Sequence, residues 1–229
     1  MNALIITGTD TGVGKTYVAC GVAAALHRRG LDVGVFKPFC TGTRDDVLAL
    51  QRAAHSTAAL DVINPVFLPL PLAPYRAAAL AGVTIDIAEV MRSFDLLRHQ
   101  HDVVVVEGIG GLMVPLCRSA DRMYTFRDFC ADCGAALVLV ARRTLGTLNH
   151  TWLTVNACRE AGLPLQGVIF NDTEPQTERE PLSSNPALLS ECAAVPLLGC
   201  VPYTATAPVF DACVAPLLSL FSTAVISYV

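Results

Sequence analysis

The sequence predicts an α/β fold: a doubly wound, mostly parallel sheet with helices on both faces, in a single domain over residues 1–229. Three observations carry that expectation. Short apolar runs rich in valine and isoleucine recur along the chain, segments with helical spacing alternate with them, and 53% of residues are hydrophobic. That mixture suits strands covered on both sides by helices.

Each element has its own signal. Ala3–Ile6, Val33–Phe36, Val103–Val106, Ala136–Val140, Val168–Phe170 and Leu197–Val201 read as buried parallel strands. Between them, Thr16–Arg29, Asp45–Ala54, Asp86–Arg98, Thr125–Cys133, Leu148–Ala161 and Pro186–Ala194 have helical periodicity. The alternation implies right-handed βαβ crossovers. Gly30 and Gly162 stand where helix ends need a residue free to take positive φ. Asn64–Pro74 contains Pro65, Pro69, Pro71 and Pro74, too many for a helix, and Asp172–Pro186 is polar and punctuated by proline. Both are expected to be surface loops. The uncharged stretch Ala212–Val229 is broken by Pro216, diluted by Ser219, Ser222, Thr223 and Ser227, and has no flanking Lys or Arg. It is expected to be a helix buried against the sheet, not a membrane span.

Bulk properties exclude several function classes. A net charge of -4 gives no broad basic field for a nucleic acid backbone or an anionic lipid surface. Nine cysteines in no repeating pattern, in a chain long enough to fold on its core alone, point to reduced thiols and a cytoplasmic setting. Cys130 and Cys133 have the spacing of a redox or zinc pair, but no second pair or histidine cluster completes a ligand set, so buried helix thiols are expected. Met1–Ile6 leads directly into a strand and a glycine loop, so no secretory leader is expected.

The most informative segment is Gly8-Thr9-Asp10-Thr11-Gly12-Val13-Gly14-Lys15-Thr16, which follows a predicted strand and opens a predicted helix. Backbone N–H groups of such a turn converge on phosphate oxygens, and the helix N-terminus adds partial positive charge. Lys15 reaches the outer phosphates and the Thr16 hydroxyl suits magnesium. The spacing is one residue longer than usual, because the first glycine lies six positions before Gly14. The expectation is a P-loop NTPase-like domain that takes a nucleoside triphosphate and Mg2+.

Two strand ends supply further charge. Lys37 closes the second strand at the carboxyl edge of the sheet, where open α/β folds gather ligands. Glu107 follows four consecutive valines, at the tip of a strand expected to be buried, so its carboxylate needs a partner; magnesium, direct or through water, provides one, and a structural ion pair is the alternative. Gly108, Gly110 and Gly111 would let backbone approach the phosphates. Asp46 opens a helix and is a metal candidate, although capping would also explain it.

Taken in order along the chain, these segments resemble dethiobiotin synthetase, the ATP-dependent enzyme that closes the ureido ring in biotin synthesis. The similarity rests on GTDTGVGKT from Gly8, KPFCTG from Lys37, DVLALQ from Asp46, VEGIGGLMVPL from Val106, LGTLNHTWLT from Leu145, FND from Phe170, and the strand ending at Pro202. It implies ATP and Mg2+ as requirements, a homodimer with substrate near the subunit interface, and 7,8-diaminononanoate and CO2 or bicarbonate as substrates. One amine would take up CO2 as a carbamate, ATP would phosphorylate it, and the second amine would displace phosphate.

The resemblance also assigns residues. Lys37, Lys15 and Thr11 would act on the transferring phosphoryl group. Gly12, Val13, Gly14, Lys15, Thr16 and Tyr17 would cradle the nucleotide, with Gly108 and Gly110 beside the phosphates. Thr16, Asp46 and Glu107 would hold magnesium, and Thr41 would hydrogen-bond the carbamate or diamine. Gly146, Thr147, Leu148 and Asn149 begin a helix whose N-terminus would receive the substrate's distal carboxylate. Asn171 would read the adenine edge, with Asp172, Val201, Pro202 and Tyr203 lining the same pocket. Tyr75 after Pro74, where the family often has histidine, and Thr204-Ala205-Thr206, where it has an acid, leave base and ribose selectivity open. The basic pair Arg142-Arg143 is unaccounted for. Rivals on the same fold are a dimerising ATPase switch of the ParA or MinD type, disfavoured by Asp10 where that class has lysine, and a cobyrinate-type amide synthase, disfavoured by the lack of a glutaminase domain.

Overall fold

The computed structural model describes residues 2–119, 122–175 and 179–221. The chain runs β1 (Ala3–Gly8), α1 (Lys15–Arg28), β2 (Val33–Phe36), β3 (Phe39–Thr41), α2 (Asp45–Ala53), α3 (Leu60–Ile63), β4 (Val66–Leu68), α4 (Pro74–Ala81) and α5 (Ile87–Gln100). It continues through β5 (Val103–Glu107), β6 (Pro115–Ser119), β7 (Arg122–Thr125), α6 (Phe126–Cys133), β8 (Ala136–Ala141), α7 (Thr147–Glu160), β9 (Leu165–Asn171), α8 (Arg179–Ala193), β10 (Leu197–Val201), α9 (Ala207–Val214) and a 3₁₀ segment at Ala215–Leu220. Six strands form one parallel sheet in the order β10-β9-β8-β1-β5-β2. β1 therefore lies between β5 and β8, where the winding reverses and a crevice opens at the carboxyl ends of the strands.

The alternation of side chains along buried strands divides the core. Leu4, Ile6, Val33, Val35, Val103 and Val105 pack on one face with Val18, Val22 and Leu26 of α1 and Phe210 of α9. Ala3, Ile5, Phe36, Val104 and Val106 face the other way, onto Val90, Phe94 and Leu97 of α5 and Phe129 of α6. A third cluster joins Leu139 and Phe170 to Val155 of α7 and Leu189 of α8. This parity decides where the strand-end charges go: Glu107 and Lys37 continue the series that faces α1.

All six expected strands and six expected helices are present, with Gly30 and Gly162 at φ of 83° and 64°. The two expected loops contain more structure than their prolines suggested. Asn64–Pro74 includes β4, paired in parallel with β3, and Pro74 opens α4 at a position where its missing N–H is of no consequence. In Asp172–Pro186, residues 176–178 lie outside the described residues, and α8 already runs from Arg179. Pro186 sits buried inside that helix, forfeiting one helical hydrogen bond instead of starting the helix. The expected helix over 212–229 falls partly on residues 222–229, which lie outside the described residues. Before them α9 ends at Val214, and Val214, Leu217 and Phe221 join the core around α1. Among the described residues no helix is long and apolar enough to cross a membrane. Cys130 and Cys133 are buried free thiols of α6.

Phe94 is fully buried and packs at 5.9 Å from Phe36, bracing α5 against the sheet. Phe94→Ala is expected to destabilise the fold by about 3–5 kcal/mol, seen as a lower urea midpoint at unchanged slope.

Candidate active site

The loop between β1 and α1 is shaped by one glycine in particular. Gly14 adopts φ +86°, and a Cβ there would come within 2.1 Å of the Asn171 amide nitrogen, so neither the conformation nor the space admits a side chain. Asn171, the last residue of β9, donates from Nδ2 to the Val13 carbonyl at 3.0 Å and thereby spans the loop. α1 has no side-chain cap at its N-terminus, which leaves its first amides free to meet an anion.

Around this loop lies a cleft of about 540 Å³. Thr11, Gly12, Gly14, Lys15, Thr16, Lys37, Thr41, Asp46, Glu107, Gly108 and Gly110, all singled out from the sequence, line it together. Its other wall comes from residues that the sequence reading passed over: Pro71, Leu72, Ala73 and Pro74 ahead of α4, with Ile109 and Val114 after β5. No local pattern marks Pro71–Pro74, because they follow β4, which is placed by its pairing with β3; Ile109 and Val114 stand within the segment after β5 that also carries Gly108 and Gly110.

At the floor, Glu107 is 1% exposed. Its Oε1 accepts from Lys37 Nζ at 2.6 Å and from Thr16 Oγ1 at 2.7 Å, while Asp46 Oδ2 lies 2.9 Å from the same ammonium. Lys37 is held from behind: its N–H donates to Ile63, and the buried Asn64 donates to its carbonyl at 2.8 Å and to that of Val66 at 3.0 Å. Asn64 is a positioning residue that the sequence placed in a plain loop. Lys15 donates to the Asp10 carbonyl at 2.9 Å, folded back over the loop.

The two ammonium groups titrate in opposite directions. Burial works to lower Lys37, but Glu107 and Asp46 outweigh it and raise it above the ordinary lysine value. Burial also works on Lys15, where Glu107 compensates only partly and Lys37 adds repulsion, bringing it down to about 8. Lys15 is thus a buried cation short of negative charge, as a phosphate-binding lysine should be before its ligand arrives.

Magnesium can be tested against this donor set. Among the described residues Glu107 Oε2 is buried without a hydrogen-bond partner, and Thr16, Glu107 and Asp46 bring hard oxygen ligands to the same cleft. Among the described residues there is no group of three or more His, Cys, Asp or Glu, as expected for an ion that takes one or two carboxylates and completes its shell with phosphate and water. The residues fit the ion.

The remaining expected positions lie apart from the cleft floor. Tyr17 donates from its hydroxyl to the Ala205 carbonyl at 3.1 Å and meets Phe210 edge-on. Val201 is buried beside Asn171 in the β10–β9 register, and Pro202 and Tyr203 follow it into the open. Both carboxylate oxygens of Asp172 are taken by Arg143. Gly146, Leu148 and Asn149 do not line the cleft, and Thr147 lines a separate hollow of about 100 Å³ with Thr9, Asp10, Arg142 and His150. Arg142 also approaches Asp10 at 3.6 Å.

A parallel sheet whose first strand runs into a glycine turn, a lysine, a threonine and a helix defines a P-loop nucleotide-binding protein. Solved structures agree on the fold alone: MinD of Aquifex aeolicus (TM-score 0.60, 13% identity, 96% of this chain and 97% of that one) and MinD of Pyrococcus furiosus (0.56, 18%, 96% and 100%). A family model described as an AAA domain matches residues 2–207. Among curated proteins, the ATP-dependent dethiobiotin synthetase BioD of Thermodesulfovibrio yellowstonii is 39% identical over 86% of this chain and 87% of its own. That of Bacillus velezensis is 36% identical over 88% and 87%. The chain belongs to the dethiobiotin synthetase family.

The chain has two lysines in 229 residues, and both are in this cleft. Reductive 13C-methylation should therefore give one lysine signal titrating near pH 8, absent in Lys15→Arg, and one that stays protonated well beyond it. Because Lys15 is lowered from 10.5 to about 8, this one side chain holds fewer protons in the native state than in the unfolded chain between those values. The Lys15 contribution to ligand-free stability should grow across that window by roughly 3 kcal/mol, read as the widening difference between wild type and Lys15→Met, while the buried thiols, raised in the native state, pull both proteins the other way.

Proposed function

We propose that the chain is an ATP-dependent dethiobiotin synthetase that closes the ureido ring on 7,8-diaminononanoate with CO2. The observation that carries this is Lys37, whose buried ammonium is pinned by Glu107 and Asp46 and whose backbone carbonyl is held by Asn64, in one cleft with the phosphate loop and Thr41. A carbamate and a γ-phosphoryl group are both anionic, and their approach needs fixed positive charge where negative charge builds up. Lys15 and Lys37 supply it from opposite sides. A carbamate oxygen attacks the γ-phosphorus and ADP departs. The second amine then attacks the carbonyl carbon, phosphate leaves, and the amine's proton is lost to solvent.

Thr16, Asp46 and Glu107 would hold Mg2+, which would neutralise charge on the phosphates. Thr11 and the free amides of α1 complete the phosphate cradle. Asn171 supports adenine at the base position: with Nδ2 spent on Val13, its buried and unpartnered Oδ1 is an acceptor, suited to adenine's exocyclic amine. The apolar wall of Pro71–Pro74 suits the diamine's alkyl chain.

We further propose a cytoplasmic homodimer. Met113, Leu145, Trp152 and Leu153 are exposed large apolar side chains, and Met113 and Leu153 line a groove of about 380 Å³ that shares Val114 with the cleft. A second copy seated there would cover this surface at the cleft's mouth. It would also explain why Gly146–Asn149, the expected carboxylate site, lies outside the cleft of its own chain. Leu153→Arg should give a monomer by sedimentation that retains ATP binding but loses most product formation.

The purified chain should turn over ATP only when diaminononanoate and bicarbonate are both present, with dethiobiotin detected by mass. Diamine-independent hydrolysis stimulated by DNA or lipid would instead mark a ParA- or MinD-type switch. Lys37→Gln should bind ATP within a few-fold of wild type while product formation falls about 10²–10³-fold; equal loss of both would reduce Lys37 to a phosphate anchor.

A further inference from the structure

Arg143 follows β8 by two residues, and its guanidinium clasps Asp172, the residue after Asn171. Nε donates to Oδ1 at 2.9 Å and Nη2 donates to Oδ2. The pair is well buried, with Arg143 side-chain exposure at 16% and Asp172 at 4%. Arg143 is itself fixed, because the buried Asn185 of α8 donates to its carbonyl at 2.9 Å. The Asp172 N–H donates to Val201 at 2.9 Å. The carboxyl ends of β8, β9 and β10 are therefore tied together through Asp172, by its carboxylate to Arg143 and by its backbone N–H to Val201.

The next residue along, Thr173, packs over Gly14 of the phosphate loop: a Cβ on Gly14 would lie 3.4 Å from its methyl group. Asn171 and Thr173 thus sit on either side of Asp172 and both rest on the phosphate loop, while Asp172 points the opposite way into Arg143. A side chain that anchors the middle residue of such a turn fixes the direction of its neighbours. Arg143 is not among the residues that line the cleft.

We propose that Arg143 is a positioning residue for nucleobase selection: its two-pronged bond to Asp172 holds the turn that aims the Asn171 carboxamide. The proposal rests on the reading of Asn171 as the base acceptor given above. A site that selects through one buried polar group discriminates only as well as that group is aimed, because an ill-directed amide accepts a keto base almost as readily as an amino base. Lysine cannot replace arginine here, since one ammonium cannot bond both carboxylate oxygens in parallel.

The experiment compares kcat/KM for ATP and GTP in wild type, Asn171→Ala, Arg143→Gln, Arg143→Lys and Asp172→Asn, with melting temperature measured alongside. In the two Arg143 variants and Asp172→Asn the preference for ATP over GTP should fall about tenfold through KM, and in the two Arg143 variants kcat at saturating ATP and KM for the diamine should change by less than about twofold. Arg143→Lys should recover melting temperature more than it recovers preference. Variants that melt lower but keep the wild-type ratio would overturn the proposal, leaving the pair as a stability feature. Asn171→Ala separates the two layers: if it too leaves the ratio unchanged, the base reading at Asn171 fails. If it collapses the ratio while the Arg143 and Asp172 variants do not, only the positioning role fails.

Discussion

The site depends on a single carboxylate placed where water does not reach. Glu107 ends a strand whose preceding residues are all buried, and its own exposure is 1%. A carboxylate in that position is unfavourable unless cations and donors surround it. Lys37 and Thr16 converge on one oxygen for this reason, which ties the ends of β2 and β5 to the first turn of α1. The other oxygen has no partner among the described residues, so the demand is left partly unmet there. The same unmet demand recurs in Lys15, a buried cation drawn down to about 8, and in Asn171 Oδ1. An oxygen lacking a partner, an ammonium short of negative charge and an acceptor lacking a donor thus stand on β5, α1 and β9, all in contact with the phosphate loop or the first turn of α1. On the proposed function, a nucleoside triphosphate with Mg2+ would supply all three complements.

Much of this could be read from the sequence because it follows from local periodicity. Val103–Val106 announces a buried strand, strand parity sends Glu107 to the α1 face, and Val33–Phe36 sends Lys37 to the same face by the same rule. The phosphate loop was legible because glycine, lysine and threonine each stand where only that residue type serves. What escaped was non-local. The prolines of Asn64–Pro74 read as punctuation, yet this stretch pairs with β3, carries Asn64 to the back of Lys37 and delivers Pro71–Pro74 to the cleft wall. Nothing within that stretch shows its partner, since Asn64 and Lys37 are 27 residues apart. Arg143 and Asp172, 29 residues apart, were opaque for the same reason: one looked like surplus charge and the other like a ligand, and each accounts for the other.

The likeness to MinD, at 13–18% identity over nearly the whole chain, locates what is general and what is particular in the molecule. The parallel sheet, the glycine turn and α1 form a device for gripping phosphate, and such a device is indifferent to what happens beyond the γ-phosphorus. Particular chemistry has to come from whatever faces the open end of that grip. Here the facing wall is the β3–β4 pair with α2 and the lead into α4, outside the six-stranded sheet, and it brings Thr41, Asp46 and an apolar lip to within one cleft of Lys37. A switch that signals through its own shape has no need of a walled pocket beside the γ-phosphate. A ligase does, because its second substrate must sit there, shielded and aligned, when the phosphoryl group moves. Lys37, held by the wall's Asn64 on one side and by Glu107 on the other, joins the general part of this fold to its particular one.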